Sequence, residues 1–229
     1  MNSHVFFISL FFFLGSAVAA YKLFGKSGLY AFVVFSTILA NIQVCKQVNI
    51  FGFETTAGNV LYAASFLSTD ILSEKYGKKA ASKAVRLGIF TNIIWIIGTQ
   101  LTLLSKPSEL DSMQIHLQSL LGLMPRVAGA SLIAYICSQF LDVTLYHSIW
   151  QKSGANEKKL WLRNNGSTMT SQAVDTSIFV TIAFLGTVPM NIFWSILFTT
   201  YLFKVVVALF DTPFAYLARK ITPIKNGDE

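Results

Sequence analysis

Charge is what this sequence has least of. Only 13% of its 229 residues are Asp, Glu, Lys or Arg, about half the share with which a soluble domain covers its core. A water-facing surface cannot be built from so few polar side chains. Proline is also scarce, and Pro107, Pro125 and Pro189 stand at or outside the ends of the apolar runs. Cysteine occurs twice, as Cys45 and Cys137, with no Cys-x-x-Cys and no Cys/His cluster. That removes redox and metal chemistry and leaves both as expected small buried hydrophobes. There is no Walker A loop for ATP and no His-Glu-x-x-His, and His4, His116 and His147 are far apart. Asp70, Asp142 and Asp175 lack the Gly-x-Gly-Asp setting of intramembrane aspartyl proteases. The chain is read as a non-enzyme with no cofactor and no metal.

What remains is apolar. Hydrophobic residues make up 53% of the chain, 20 of them Phe, and the mean hydropathy is +0.55. Crossing a hydrocarbon core of about 30 Å takes roughly 17–25 residues as a helix. Seven runs approach or reach that length: 5–21, 27–45, 57–72, 87–104, 127–149, 172–188 and 192–210. In lipid each must be helical, so that its backbone groups pair internally. The first run ends in Ala17-Val18-Ala19, like a signal cleavage site, but nothing before it is Lys or Arg, so it is read as a retained helix. The expected architecture is an all-α polytopic bundle of six or seven spans, with seven favoured, forming a single membrane domain over 1–229. The two longest connections, 105–126 and 151–171, are too short for a separate core.

The cations then sort by side. Lys22 and Lys26, the set from Lys75 to Arg86, the set from Lys152 to Arg163, and Arg219, Lys220 and Lys225 follow alternate runs. The positive-inside rule makes that side cytoplasmic, with the N-terminus outside and the C-terminus inside. The net charge of +7 is thereby accounted for by loops that meet anionic lipid, with no need of a nucleic-acid partner.

Ionisable residues inside such runs cost about 2.5–3.5 kcal/mol each at a helix centre and mark function by default. Here they are Asp70, Glu74, Asp142, Asp175, Lys204 and Asp211. Two share a local pattern: Ser138-Gln139-x-x-Asp142 and Ser171-Gln172-x-x-Asp175. Three residues apart on a helix is one face, so each presents an amide beside a carboxylate. With alternating helix directions, Asp70, Asp142, Asp175 and Lys204 are expected at one level in the cytoplasmic half, lining one site. Lys204 is the expected counter-ion, and Glu74 and Asp211 are expected near water.

These residues carry a resemblance. Thr69-Asp70-Ile-Leu-Ser-Glu74-Lys-Tyr76-Gly77 resembles the TD-x-L-x-E-x-YG signature of the queuosine precursor transporter family. In the same order follow Gln139-x-x-Asp142, a cytoplasmic Arg163 with Ser167-Thr168, and Gln172-x-x-Asp175-Thr176 with Phe179. Asn41 and Lys46 resemble the family's upstream Asn…Lys segment. The resemblance implies uptake of 7-deazaguanine bases across the bacterial inner membrane for tRNA modification. The partners are then a nucleobase-like small molecule and membrane lipid, and a homo-oligomer is compatible. Asp70, Gln139, Asp142, Gln172 and Asp175 are the expected substrate-binding residues; Glu74, Arg163, Lys204, Asn41 and Lys46 are assigned to gating or coupling. A carboxylate suits the paired N–H donors of a guanine-like edge. The alternative is the substrate-binding subunit of an energy-coupling factor type vitamin importer.

Overall fold

A computed structural model of the chain describes residues 2–50, 53–122, 124–154 and 159–224. The elements in order are α1 (Asn2–Gln43), β1 (Gln47–Ile50), β2 (Phe53–Thr56), α2 (Gly58–Leu104), α3 (Gln114–Leu121), α4 (Met124–Ser153), α5 (Leu160–Phe184) and α6 (Met190–Lys220). The 42 residues of α1 and 47 of α2 are about twice what one crossing needs. Each is broken at a single glycine. Gly25 (φ 57°, ψ −137°) and Gly77 (φ 78°, ψ 175°) adopt backbone angles that side chains bearing a Cβ disfavour.

At both glycines the chain reverses. A Cβ placed on Gly28 would lie 2.2 Å from the carbonyl oxygen of Ala20, a separation of eight residues that a straight helix would stretch to about 12 Å. Gly58 packs on the backbone of Ala40 and Val44, while Tyr76 at the other end of that segment meets Tyr21 and the ammonium of Lys26. The segment 58–76 is therefore antiparallel to 26–43. Beyond Gly77 the chain runs back parallel to 26–43, with Lys83 over the Tyr30 ring and Asn41 bonded to Asn92. The seven expected runs fall on the two halves of α1, the two halves of α2, and α4, α5 and α6; among the described residues α1, α2 and α6 are long and apolar enough to cross a membrane. This is an all-α, multi-pass membrane bundle.

Apolar side chains face outward as well as inward. In the second half of α2, Phe90, Ile94, Ile97 and Leu101 form an exposed apolar stripe at helical spacing, while Asn92 on the other side is 2% exposed. The first half of α1 runs beside α6 and packs on it through aromatic rings. There Phe6 meets Phe203, Phe7 meets Phe210 and Phe11 meets Phe214, with centroids 5.7–6.2 Å apart. The Ile224 amide donates to Lys22 O at 2.9 Å and ties the end of α6 to the first turn. Lys22, Lys26, Lys75, Lys79, Lys152, Lys159 and Arg219 consequently gather at one end of the bundle, called here the basic face. The antiparallel β1–β2 hairpin, with Gln47 opposite Thr56, and α3 lie at the other end.

Two boundaries differ from expectation, for one reason. α5 starts at Leu160 rather than at 172, and α6 continues to Lys220 past Pro213 rather than ending at 210. The extra turns are polar but buried: Arg163, Asn164, Ser167 and Asp211 are all fully enclosed. Hydropathy reads such turns as loop, although helix neighbours shield them. Arg163 is therefore a helix residue and not part of a cytoplasmic loop. The connection 105–126 contains α3. Both cysteines are exposed, Cys137 on a helix flank turned away from the bundle, contrary to the buried placement expected.

Candidate functional site

The polar interior is arranged in two levels with a closure below them. At the level nearer the hairpin end is a cavity of roughly 630 Å³, open space at its mouth included. Its wall takes Ser36, Thr37 and Asn41 from α1, Asn59, Tyr62, Ser65 and Asn92 from α2, and Ser131 and Tyr135 from α4. Asp175 and Phe179 of α5 and Lys204 of α6 complete it. Its aromatic lining and few convergent polar groups are those of small-molecule sites.

Asp175 organises this level. Its Oδ1 accepts from the Tyr62 hydroxyl at 2.7 Å and from Ser138 Oγ at 3.0 Å. Its Oδ2 accepts from the Lys204 ammonium, which also lies 5.1 Å from the Tyr62 ring centroid. A carboxylate oxygen takes two donors, so Oδ1 is filled and Oδ2 keeps one place. Across the cavity, Asn41 Nδ2 donates to Asn92 Oδ1 at 3.3 Å and to the Thr37 carbonyl at 2.7 Å. That bond joins the half-helices 26–43 and 78–104.

The second level lies toward the basic face. Asp70 is eight residues below Tyr62, about 12 Å along the helix. Asp70 Oδ2 accepts from Thr168 at 3.4 Å and Asp142 Oδ1 from Ser171 at 3.0 Å, so hydroxyls one turn apart on α5 bring the two carboxyl groups together. Asp211 Oδ1 accepts from Asn164 Nδ2 at 2.7 Å. Gln139 Oε1 accepts from Thr69 at 3.4 Å, and Gln172 is buried one turn before Asp175.

Below this, Glu74 closes the basic end. Arg163 grips it through two bonds, Nη2 to Oε1 at 2.6 Å and Nε to Oε2 at 3.0 Å, the fork geometry of a strong ion pair. Tyr146 donates to Oε2 at 2.7 Å, Arg219 Nε stands 3.4 Å from Oε1, and the Arg163 guanidinium lies 4.9 Å from the Trp150 ring centroid. Lys75 caps the end of α6 by donating to the carbonyls of Arg219 and Ile221 at 2.5 and 3.1 Å, where the helix dipole favours a cation.

The single level expected for four charges is therefore two. Asp175 and Lys204 belong to the cavity; Asp70, Asp142 and Gln139 belong to the inner level. Glu74 and Asp211 are buried rather than near water. Asn41 lines the cavity, whereas Lys46 is exposed beyond the end of α1. Sequence reading passed over Tyr62, Asn92 and Tyr135, although an amide amid the apolar run around Asn92 is itself a signal of an inward face.

The family model described as "putative vitamin uptake transporter" matches residues 56–218, from the top of α2 to the end of α6. The Bacillus subtilis protein named "Probable queuosine precursor transporter" is 45% identical over 203 residues, 89% of this chain and 88% of that one. This chain belongs to the queuosine precursor transporter family. The Escherichia coli relative named "Queuosine precursor transporter" is 28% identical over 74% of this chain and 72% of its own. A Haemophilus influenzae relative named "Probable queuosine precursor transporter" is 27% identical over 75% and 71%. No solved structure matches. The family's Thr-Asp…Tyr-Gly signature acquires a physical sense here. It starts at the inner level with Asp70, passes through the closure at Glu74, and ends on the residue that turns the chain, Gly77.

Proposed function

We propose that this protein takes up queuosine precursors, 7-deazaguanine bases, across the bacterial inner membrane. The observation that carries the reading is a cavity walled by amides and one incompletely filled carboxylate, in a chain 45% identical to a relative of that name over nearly its whole length. A guanine-like edge presents adjacent N–H donors. Asp175 Oδ2 has a place for one, and the Asn41 and Asn92 amides on the cavity wall carry donors and acceptors for the ring carbonyl and nitrogens. Phe179 supplies a flat face for the base. In this reading Asp175 holds substrate as expected from the sequence, while Asp142, Gln139 and Gln172 act from the level beneath.

The orientation proposed puts the basic face in the cytoplasm, with the N-terminus outside and the C-terminus inside. The cavity then opens outward, and the Glu74–Arg163 pair closes the cytoplasmic end. Release inward requires that pair to part.

Uptake by the purified protein in liposomes tests the reading, with 7-cyano-7-deazaguanine, its 7-aminomethyl counterpart and queuine against guanine and unrelated vitamins. Saturable uptake of a 7-deazaguanine by the protein alone is the expected result. Uptake only when ATPase subunits are added would instead identify a subunit of an energy-coupling factor type importer.

A further inference from the structure

Three carboxylates meet between α2, α4, α5 and α6 without a cation among them. Asp70, Asp142 and Asp211 are 2%, 0% and 0% exposed, and among the described residues the salt bridges are made by Glu74 and Asp175 instead. The groups that face the three are neutral: Thr168, Ser171 and Asn164 on α5, and on α4 Tyr146, whose hydroxyl is engaged by Glu74. The charges of the neighbouring turn are Glu74 and Lys75 on α2, Arg163 on α5 and Arg219 on α6; Glu74 and the two arginines are held by one another, and Lys75, which lines the same void as Asp70, is held by the carbonyls that end α6. A buried carboxylate without a counter-charge is far too costly for a few hydroxyl donors to offset. Three together add repulsion. Something bound must cancel the charge.

The unused atoms indicate what that is. Asp70 Oδ1, Asp142 Oδ2 and Asp211 Oδ2 are buried without a partner, and so is the carboxamide oxygen of Asn164. Asn164 is not an acid, is fully buried, has its Nδ2 engaged on Asp211, and lines the same small internal void as Asp70. These four orphans are acceptors, and Gln139 Nε2, one turn before Asp142, is an unpartnered donor at the same level; one neutral donor cannot offset three carboxylates, so this place calls for a proton or a metal cation. Thr168 and Ser171, which donate to Asp70 and Asp142, stand one turn apart on α5 and bring the two carboxyls together. Two carboxyl groups bond to each other only through a proton on one of them, whereas a metal ion would turn their oxygens toward itself.

We propose that Asp70, Asp142 and Asp211 form the binding site of a coupling proton, held between Asp70 and Asp142 and passed on when the bundle opens to the basic face. This rests on the transport reading for its purpose. Loading forms an O–H bond on a carboxylate and unloading breaks it, with no other reactant. The link to substrate is short: Asp142 stands one turn from Ser138, which bonds Asp175, and Ser171, which bonds Asp142, stands one turn from Asp175 on α5.

Infrared difference spectra of the purified full-length protein, titrated from alkaline to mildly acidic pH, read the proton without any substrate. A protonated-carboxyl band should grow as pH falls, shrink in Asp70→Asn and Asp142→Asn, and ignore sodium. Asp211→Asn, which should shift that band, serves if either of the others does not fold. In proteoliposomes an inward proton gradient should drive accumulation of 7-cyano-7-deazaguanine, and Asp211→Asn should lose accumulation while keeping exchange of the base. A band indifferent to all three substitutions overturns the proposal, as does accumulation that follows a sodium gradient or no gradient. If the band behaves as expected but the base is neither bound nor carried, the substrate reading fails and the proton site stands.

Discussion

Asp175 and Asp142 are the same residue in the same local pattern, on neighbouring helices and equally buried, yet their surroundings are opposite. Asp175 has a lysine, a tyrosine and a serine on its two oxygens and faces a cavity. Asp142 has a serine and a neighbouring carboxyl, and no cation. Sequence pattern made them equivalent. What separates them is the register of the other helices: α6 brings Lys204 to the upper level and Asp211 to the lower one, seven residues or about 10 Å further along. One level is a compensated charge with room beside it; the other is uncompensated and packed with acceptors.

The difference is best broken by asking what each carboxylate leaves behind. Asp175→Asn strands Lys204, so its cost should lie toward the upper end of the roughly 3–5 kcal/mol seen when one partner of a buried pair is removed. Adding Lys204→Met should return most of that stability and none of the base binding. Thermal unfolding in detergent checks the first, equilibrium binding the second. A single variant as stable as the parent would mean that the pair is not a closed one.

Arg163→Met should have a smaller effect, about 3 kcal/mol, because Arg219 and Tyr146 remain beside Glu74. The same unfolding measurement would show whether the closure is one ion pair or a shared network. At the cavity wall, Asn92→Ala should weaken binding of a 7-deazaguanine about tenfold, near 1.4 kcal/mol, with little change in stability. Binding unaffected by that change would confine recognition to the Asp175 side. Smallest of all is Asp142→Asn, which strands no cation and should alter unfolding by less than about 1 kcal/mol. Set against Asp175→Asn, it makes the same chemical edit with the opposite expectation.

Much of the scaffold was legible before any coordinates. Runs of apolar residues give the crossings because lipid allows little else, and the basic clusters sort into one face. The inward surfaces were harder. The turns 160–171 look like loop because Arg163, Asn164, Ser167 and Thr168 are polar, and hydropathy cannot distinguish polar residues shielded by neighbours from polar residues in water. Levels were harder still, since counting from misplaced helix ends put Asp175 and Lys204 beside Asp70. Tyr62 and Tyr135 carried no signal of their own, because a tyrosine in an apolar run reads as packing until its hydroxyl is seen to have a partner.

The single-residue reversals at Gly25 and Gly77 make chain length itself a part of the recognition surface. One residue added at Gly77 would spin everything after it by about 100°, carrying Asn92 from the cavity wall toward the lipid and parting it from Asn41. The stretch before α3 can lengthen or shorten with no such rotation being transmitted. Insertions and deletions among descendants of this chain are accordingly expected to collect between 105 and 113 and to be purged from the two hairpin tips, so that indels, more than substitutions, would outline the proposed base-binding chamber.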